Sequence, residues 1–256
     1  MAQLKPEINI KNNRMAFAKL ISAAIQILLP SSCPGCRRPT GNILSLCVDC
    51  WAEISWITDP VCAVSGAPLS YDLGADAISP TVLENPPDYD WARSACFYDG
   101  VVAQLIRQMK FSDHPEFAYM MSRWLLRFIF SLEAENAPII FMPVPLHIRR
   151  LRMRRYNQVS IVARELARLT GHQYAPNLLR RGRATKPQTG LSSVQRAKNV
   201  RDAFFVPEAL RQECVGRHII LVDDVMTTGA TVNACSKALK AAGVAWVGVV
   251  TIARVC

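Results

Sequence analysis

Residues 219–231 read Ile-Ile-Leu-Val-Asp-Asp-Val-Met-Thr-Thr-Gly-Ala-Thr, and this stretch decides the fold. Its first four residues are apolar and mostly β-branched, the composition of a parallel strand covered on both faces. Asp223 and Asp224 then fall at the strand's C-terminal end, where open α/β sheets place their ligands. Val225 and Met226 carry the chain into Thr227, Thr228, Gly229, Ala230 and Thr231, a small hydroxyl-rich turn that opens a helix. Backbone N–H groups and the helix dipole hold anions at such a turn. Two acids suit ribose hydroxyls and the turn suits a 5′-phosphate, so a sugar phosphate is the expected ligand. The competing reading is an ordinary βα turn, because Thr-Thr-Gly also caps helices.

Outward from this stretch, strands and helices alternate. Residues 139–144 form a buried strand stopped at Pro143 and Pro145, and residues 157–170 form an amphipathic helix closed by Gly171. A short strand is expected around Leu178 and Leu179, a helix over 230–242, and a last strand over 246–253. Upstream, a strand over 94–98 leads into helices over 101–110 and 115–132. Strands alternating with helices imply a parallel sheet with right-handed crossovers. Residues 63–95 are rich in Pro, Asp, Gly and Ser and read as a linker or lid.

Cys33-Pro-Gly-Cys36 and Cys47-Val-Asp-Cys50 form a paired Cys-x-x-Cys arrangement. Four thiolates at that spacing converge on one ion and make the closed tetrahedral shell of a structural zinc. So short a segment cannot bury a core, and metal binding supplies its folding free energy. Disulfides or idle thiols are the competing reading. Cys62, Cys96, Cys214, Cys235 and Cys256 lack partners at ligand spacing and read mostly as small buried hydrophobes.

The formal charge is +10, and it is concentrated. Residues 149–201 hold fourteen Lys or Arg and one acid, Glu165, a net of +13 that leaves −3 for the rest. A block of this kind raises the potential near a pyrophosphate, a nucleotide or a nucleic acid. Arg149, Arg152 and Arg154 lie in the turn after the 139–144 strand, which a parallel sheet delivers to the same crevice as Asp223 and Asp224, so they are the pyrophosphate candidates. No run of eighteen apolar residues occurs, which excludes a membrane-spanning helix on length. Residues 15–29 superficially resemble a signal peptide, but Lys19 and Pro30 favour an amphipathic helix and a cytoplasmic protein. A Walker loop and a Ser-His-Asp or Cys-His arrangement are both lacking.

The 219–231 stretch resembles the phosphoribosyl-pyrophosphate (PRPP) signature of type I phosphoribosyltransferases. The rest of the chain, over roughly 15–256, is similar to the ComF/GntX family of proteins linked to DNA uptake. The resemblance implies a type I phosphoribosyltransferase-like parallel sheet flanked by helices (residues 96–256), preceded by a small zinc ribbon (31–62), with residues 1–30 as an N-terminal helix. It implies Mg²⁺ with PRPP, and a mobile loop carrying Arg181, Arg183, Lys186 and Gln188 that closes over the site. Lys110 matches a lysine position of the family, while Ser65 stands where relatives have a second-knuckle cysteine. Implied partners are PRPP or a nucleotide, single-stranded DNA, and DNA-uptake or recombination proteins. The leading expectation is a PRPP- or nucleotide-binding protein of DNA uptake, with a phosphoribosyltransferase reaction open. A non-catalytic single-strand-binding accessory is the alternative. Because the last strand ends close to Cys256, a pocket for an acceptor base must come from residues before Asp99, be open, or be absent.

Overall fold

The computed structural model describes residues 31–42, 44–111, 114–132, 138–146, 156–182 and 203–255. The chain divides into two compact units, Met1–Ala52 and Glu53–Cys256. In the first, the described part is a cysteine-bearing loop followed by the short helix α1 (Val48–Ala52).

The second unit is built on five strands: β1 (Trp91–Phe97), β2 (Ile139–Pro143), β3 (Gln173–Tyr174), β6 (His218–Met226) and β7 (Trp246–Arg254). Their order is β1-β7-β6-β2-β3, and every pairing is parallel. The strand carrying the two acids is therefore central, and Asp223 is in register with Thr251 of β7. Its all-apolar start follows from burial on both faces, with Ile219, Ile220, Leu221 and Val222 fully enclosed.

Among its described residues the unit also has helices α2 (Pro80–Glu84), α3 (Gly100–Phe111), α4 (Glu116–Leu132), α5 (Gln158–Thr170), α6 (Arg211–Cys214) and α7 (Ala230–Ala241). Val232, Cys235 and Leu239 of α7 pack with Ile219, Leu221, Val247 and Val249 in one core. Residues alternate across a strand, so Ile220 and Val222 project to the opposite face. Helix α5 ends at Gly171, whose φ of 73° is the left-handed cap expected there. The expected elements at 94–98, 101–110, 115–132, 139–144, 157–170, 230–242 and 246–253 all occur, each within a few residues of its predicted bounds.

Around Leu178 and Leu179 the structure differs from expectation. The strand there is β4 (Arg180–Arg181), and it pairs antiparallel with β5 (Phe204–Phe205) in a separate two-stranded ladder. Leu178 and Leu179 are buried in the core that α7 shares, and that burial carries the two arginines onward into the ladder. Residues 63–95, read as a linker or lid, contain α2 and most of β1. They also cover the free edge of β1, where the Ala92 N–H donates to Val64 O at 2.7 Å. Nearby, Ile57 donates to Ala95 O and Phe97 to Ser55 O, so this sheet edge is paired rather than open. The expected helix over 15–29 lies outside the described residues.

Candidate functional site

At the end of β6 the two carboxylates diverge. Strand alternation sends Asp223 to the α7 face and Asp224 to the face of α3, α4 and α5. Asp223 is partly buried, and its Oδ1 accepts the Asp224 backbone N–H at 2.9 Å. Burial, with the Asp224 charge beside it, pushes the Asp223 carboxyl up to about 7, while that N–H, Lys110 and Arg181 offset part of the rise. Asp224 is itself buried and is met by Lys110, whose Nζ donates to Oδ1 at 2.7 Å. Lys110 thus meets Asp224 directly from the end of α3, and the charge of Arg181 on β4 acts on Asp223.

The connection carrying Arg149, Arg152 and Arg154 lies outside the described residues, but both its ends are anchored at this site. It leaves β2 where Val144 donates to Val222 O at 2.9 Å, and it returns at Tyr156, whose hydroxyl donates to Met109 O at 3.3 Å, next to Lys110. Asn157 Nδ2 donates back to Val144 O at 3.2 Å and ties the two ends together.

Beyond Asp224, Val225 and Met226 finish the strand, in register with Ala253 and Arg254. Thr227 and Thr228 follow, and Gly229 turns the chain into α7 with φ 73° and ψ −2°. Glycine fits there because the left-handed region disfavours a Cβ, which would also lie 3.2 Å from Met226 Cε. Ala230 and Thr231 form the first turn of α7, whose opening bond runs from Asn233 N–H to Gly229 O at 2.9 Å. Thr228 is exposed, and Thr227, Gly229, Ala230 and Thr231 are partly open. The turn is therefore partly open to solvent beside the acids.

Arg181, expected in the mobile loop, sits instead in the β4–β5 ladder, where Gly182 donates to Ala203 O at 2.9 Å. Its guanidinium carbon lies 5.1 Å from the centroid of the Phe204 ring. Arg183, Lys186 and Gln188 lie outside the described residues.

Two residues not expected from sequence, Arg254 and Tyr89, stand at the same end of the sheet. Arg254, only 7% exposed at the end of β7, donates through Nη1 to Ser65 O at 3.0 Å and through Nη2 to Met226 Sδ at 3.3 Å. Tyr89 is buried and its hydroxyl lies near Gly229. Burial pushes this phenol up, and the Arg254 charge pulls it back. An arginine ending an otherwise apolar strand, Thr251-Ile-Ala-Arg254, was the available signal.

In the first unit, the thiols of Cys33, Cys36, Cys47 and Cys50 all lie within 4.8 Å of one another. A tetrahedral zinc with ~2.3 Å bonds to sulfur needs such a cluster, so these donors fit the ion. Burial pushes the Cys33 thiol up, but the N–H groups of Cys47, Cys36 and Gly35 outweigh it and bring it down to about 6, toward the thiolate a metal requires. Cys62, Cys96, Cys214 and Cys235 are fully buried, as expected of small hydrophobes. Among the described residues no helix is long and apolar enough to cross a membrane.

Comparison with known proteins agrees with this architecture. Residues 24–80 match the double zinc ribbon domain family, and residues 160–255 match the phosphoribosyl transferase domain family. The chain is 30% identical over 237 residues to DNA utilization protein YhgH of Shigella flexneri, covering 89% of this chain and 99% of that one. It is 30% identical over 217 residues to competence protein F of Haemophilus influenzae, covering 82% and 90%. It is 24% identical over 204 residues to competence protein ComFC of Bacillus subtilis, covering 77% and 79%. A solved glutamine PRPP amidotransferase from B. subtilis aligns over 45% of this chain and 22% of its own at 22% identity with a TM-score of 0.29, too slight a likeness to add to the argument. The extent of the first two matches shows that the chain belongs to the ComF family, together with DNA utilization protein YhgH and competence protein F.

Proposed function

We propose that this protein serves the uptake and use of DNA through a domain that binds PRPP or a nucleotide. The observation that carries the reading is the end of β6, where Asp223 and Asp224 adjoin the left-handed turn at Gly229 that opens α7. In this reading the carboxylates hold the ribose hydroxyls, directly or through Mg²⁺, and the turn over 227–231 takes the 5′-phosphate on its N–H groups. Lys110 adds a cation at the same point. Arg149, Arg152 and Arg154, on the connection that begins beside Val222, meet the pyrophosphate. Arg183, Lys186 and Gln188 belong to a loop that closes over the reactive sugar and excludes water. Residues before Asp99, Tyr89 among them, supply the wall on the α7 side. A cytoplasmic place of action is part of the proposal.

Incubation with PRPP, Mg²⁺ and a panel of bases, followed by pyrophosphate release, tests it. Release with a base makes the protein a transferase; PRPP binding without release makes it a sensor or carrier. Failure to bind either PRPP or nucleoside monophosphates at millimolar concentration overturns the proposal.

A second reading is favoured by the +13 block over residues 149–201. Single-stranded DNA bound along this block presents a terminal nucleotide with the same ribose and phosphate groups, so both readings share one site. DNA-uptake or recombination proteins are the partners this second role requires.

A further inference from the structure

Residues 60–84 repeat the backbone geometry of residues 31–52, bond for bond. In the first segment Cys33 donates to Arg38 O at 2.8 Å and Arg37 donates to Cys33 O at 2.8 Å; in the second, Cys62 donates to Ala67 O at 2.8 Å and Gly66 to Cys62 O at 2.9 Å. Thr40 donates to Ser31 O, and Leu69 likewise to Pro60 O. The bridge Ser32↔Pro39 matches Val61↔Pro68, and the left-handed residue Arg37 matches Gly66. The Cys47 N–H donates to Cys33 Sγ at 3.3 Å, and the Ser79 N–H donates to Cys62 Sγ at 3.3 Å. A short helix begins one residue later in each segment, at Val48 and at Pro80.

This correspondence maps Cys36 onto Ser65, Cys47 onto Ser79 and Cys50 onto Val82. Only Cys62 keeps a sulfur. A neutral serine hydroxyl is a poor zinc ligand and valine is none, so three of the four donors a structural zinc requires are missing. The remaining thiol is met by the N–H groups of Ser65 at 3.5 Å and Ser79 at 3.3 Å. We propose that the second ribbon lobe folds without metal and that the chain holds a single zinc, at Cys33, Cys36, Cys47 and Cys50, although it matches a family of double zinc ribbons.

The sheet takes over the metal's structural task. Arg93 Nη1 donates to Ala63 O at 2.9 Å and to Cys62 O at 3.4 Å, and Ala92 donates to Val64 O. Gly66 presses so closely on β1 that a Cβ would lie 2.2 Å from Ala92 O. Ser65 O in turn holds Arg254 at the end of β7. The lobe is thus fastened along β1 and joined to the end of the sheet that carries Asp223. A ribbon without such a scaffold needs its ion to fold.

Metal analysis of the purified full-length protein tests the proposal independently of any PRPP binding. One zinc per chain is expected, and zero or two overturns the proposal. Cys62→Ser should leave the zinc content unchanged, while Cys33→Ser should abolish it; a loss of zinc in Cys62→Ser overturns the assignment. In the triple variant Ser65→Cys, Ser79→Cys, Val82→Cys a second zinc should bind, and a folded triple variant that still holds one refutes the mapping. If that variant does not fold, the wild-type and Cys62→Ser contents decide.

Discussion

Lys110 and Asp224, far apart in sequence, meet through a 2.7 Å bond from Nζ to Oδ1, with both side chains largely withdrawn from solvent. The bond fixes the end of α3 to the end of β6. It also places a positive charge at the one point where a parallel sheet gathers negatively charged ligands.

Breaking that pair should be felt in stability. Lys110→Met leaves a buried carboxylate without its cation and should destabilise the protein by about 1–3 kcal/mol, below the full range for a completely buried pair because some solvent reaches it. Asp224→Asn should have an effect of similar size. The two together should cost less than the sum, with a coupling of about 1 kcal/mol or more in a denaturant-melt double-mutant cycle. Strict additivity would mean that the bond contributes nothing.

Stability should also depend on pH through Asp223. Its folded pKa of about 7 lies above the ordinary carboxylate value, so the folded state keeps a proton that the unfolded chain releases. The stabilising contribution is then fully present below about pH 4 and is lost as pH rises toward 7. Across that window Asp223→Asn should flatten the fall in Tm relative to wild type. An unchanged slope would show that the carboxyl titrates normally.

Gly229→Ala places a Cβ on a left-handed residue and against Met226 Cε. A loss on the order of 1 kcal/mol is expected from the backbone alone. On the proposed reading PRPP affinity should fall further than stability does, because the same turn forms the phosphate seat. Intact affinity in a destabilised variant would separate the turn from the ligand.

For the second reading, binding to a fixed-length single-stranded oligonucleotide should fall steeply with salt. Neutralising Arg149, Arg152 and Arg154 should reduce the slope of log K against log salt by roughly 2, at about 0.7 per lost phosphate contact. An unaltered slope would remove these arginines from the interface.

Much of the fold around the paired acids was legible because its signals are local. The apolar run before Asp223, the small turn after it and Gly171 each express a backbone requirement within a few residues, and the strands and helices expected at 94–98, 101–110, 115–132, 139–144, 157–170, 230–242 and 246–253 lie within a few residues of their places. The β4–β5 ladder was not legible: two-residue strands carry no periodicity, and Arg181 meets Phe204 across a long connection. That pairing places Arg181 in a ladder rather than a loop, with its charge acting on Asp223. Arg254 was hidden by an apolar strand in which one charge reads as the point of exit into solvent, whereas Ser65 O and Met226 Sδ hold it inside. Ser65 stands in a cysteine's place at a legible spacing, whereas Ser79 and Val82 stand at no such spacing. The spacing from Ser65 to Ser79 is longer than from Cys36 to Cys47, and no thiol remains there to mark the motif.

The central claim concerns the paired acids of β6 and the turn that follows them. The most direct test is the thermal shift produced by PRPP with and without Mg²⁺, measured on the wild type and on the Asp223→Asn, Asp224→Asn double variant. A Mg²⁺-dependent rise in Tm in the wild type, absent from a folded double variant, is the predicted result. No shift in the wild type at millimolar PRPP, or an equal shift in both proteins, would contradict the account.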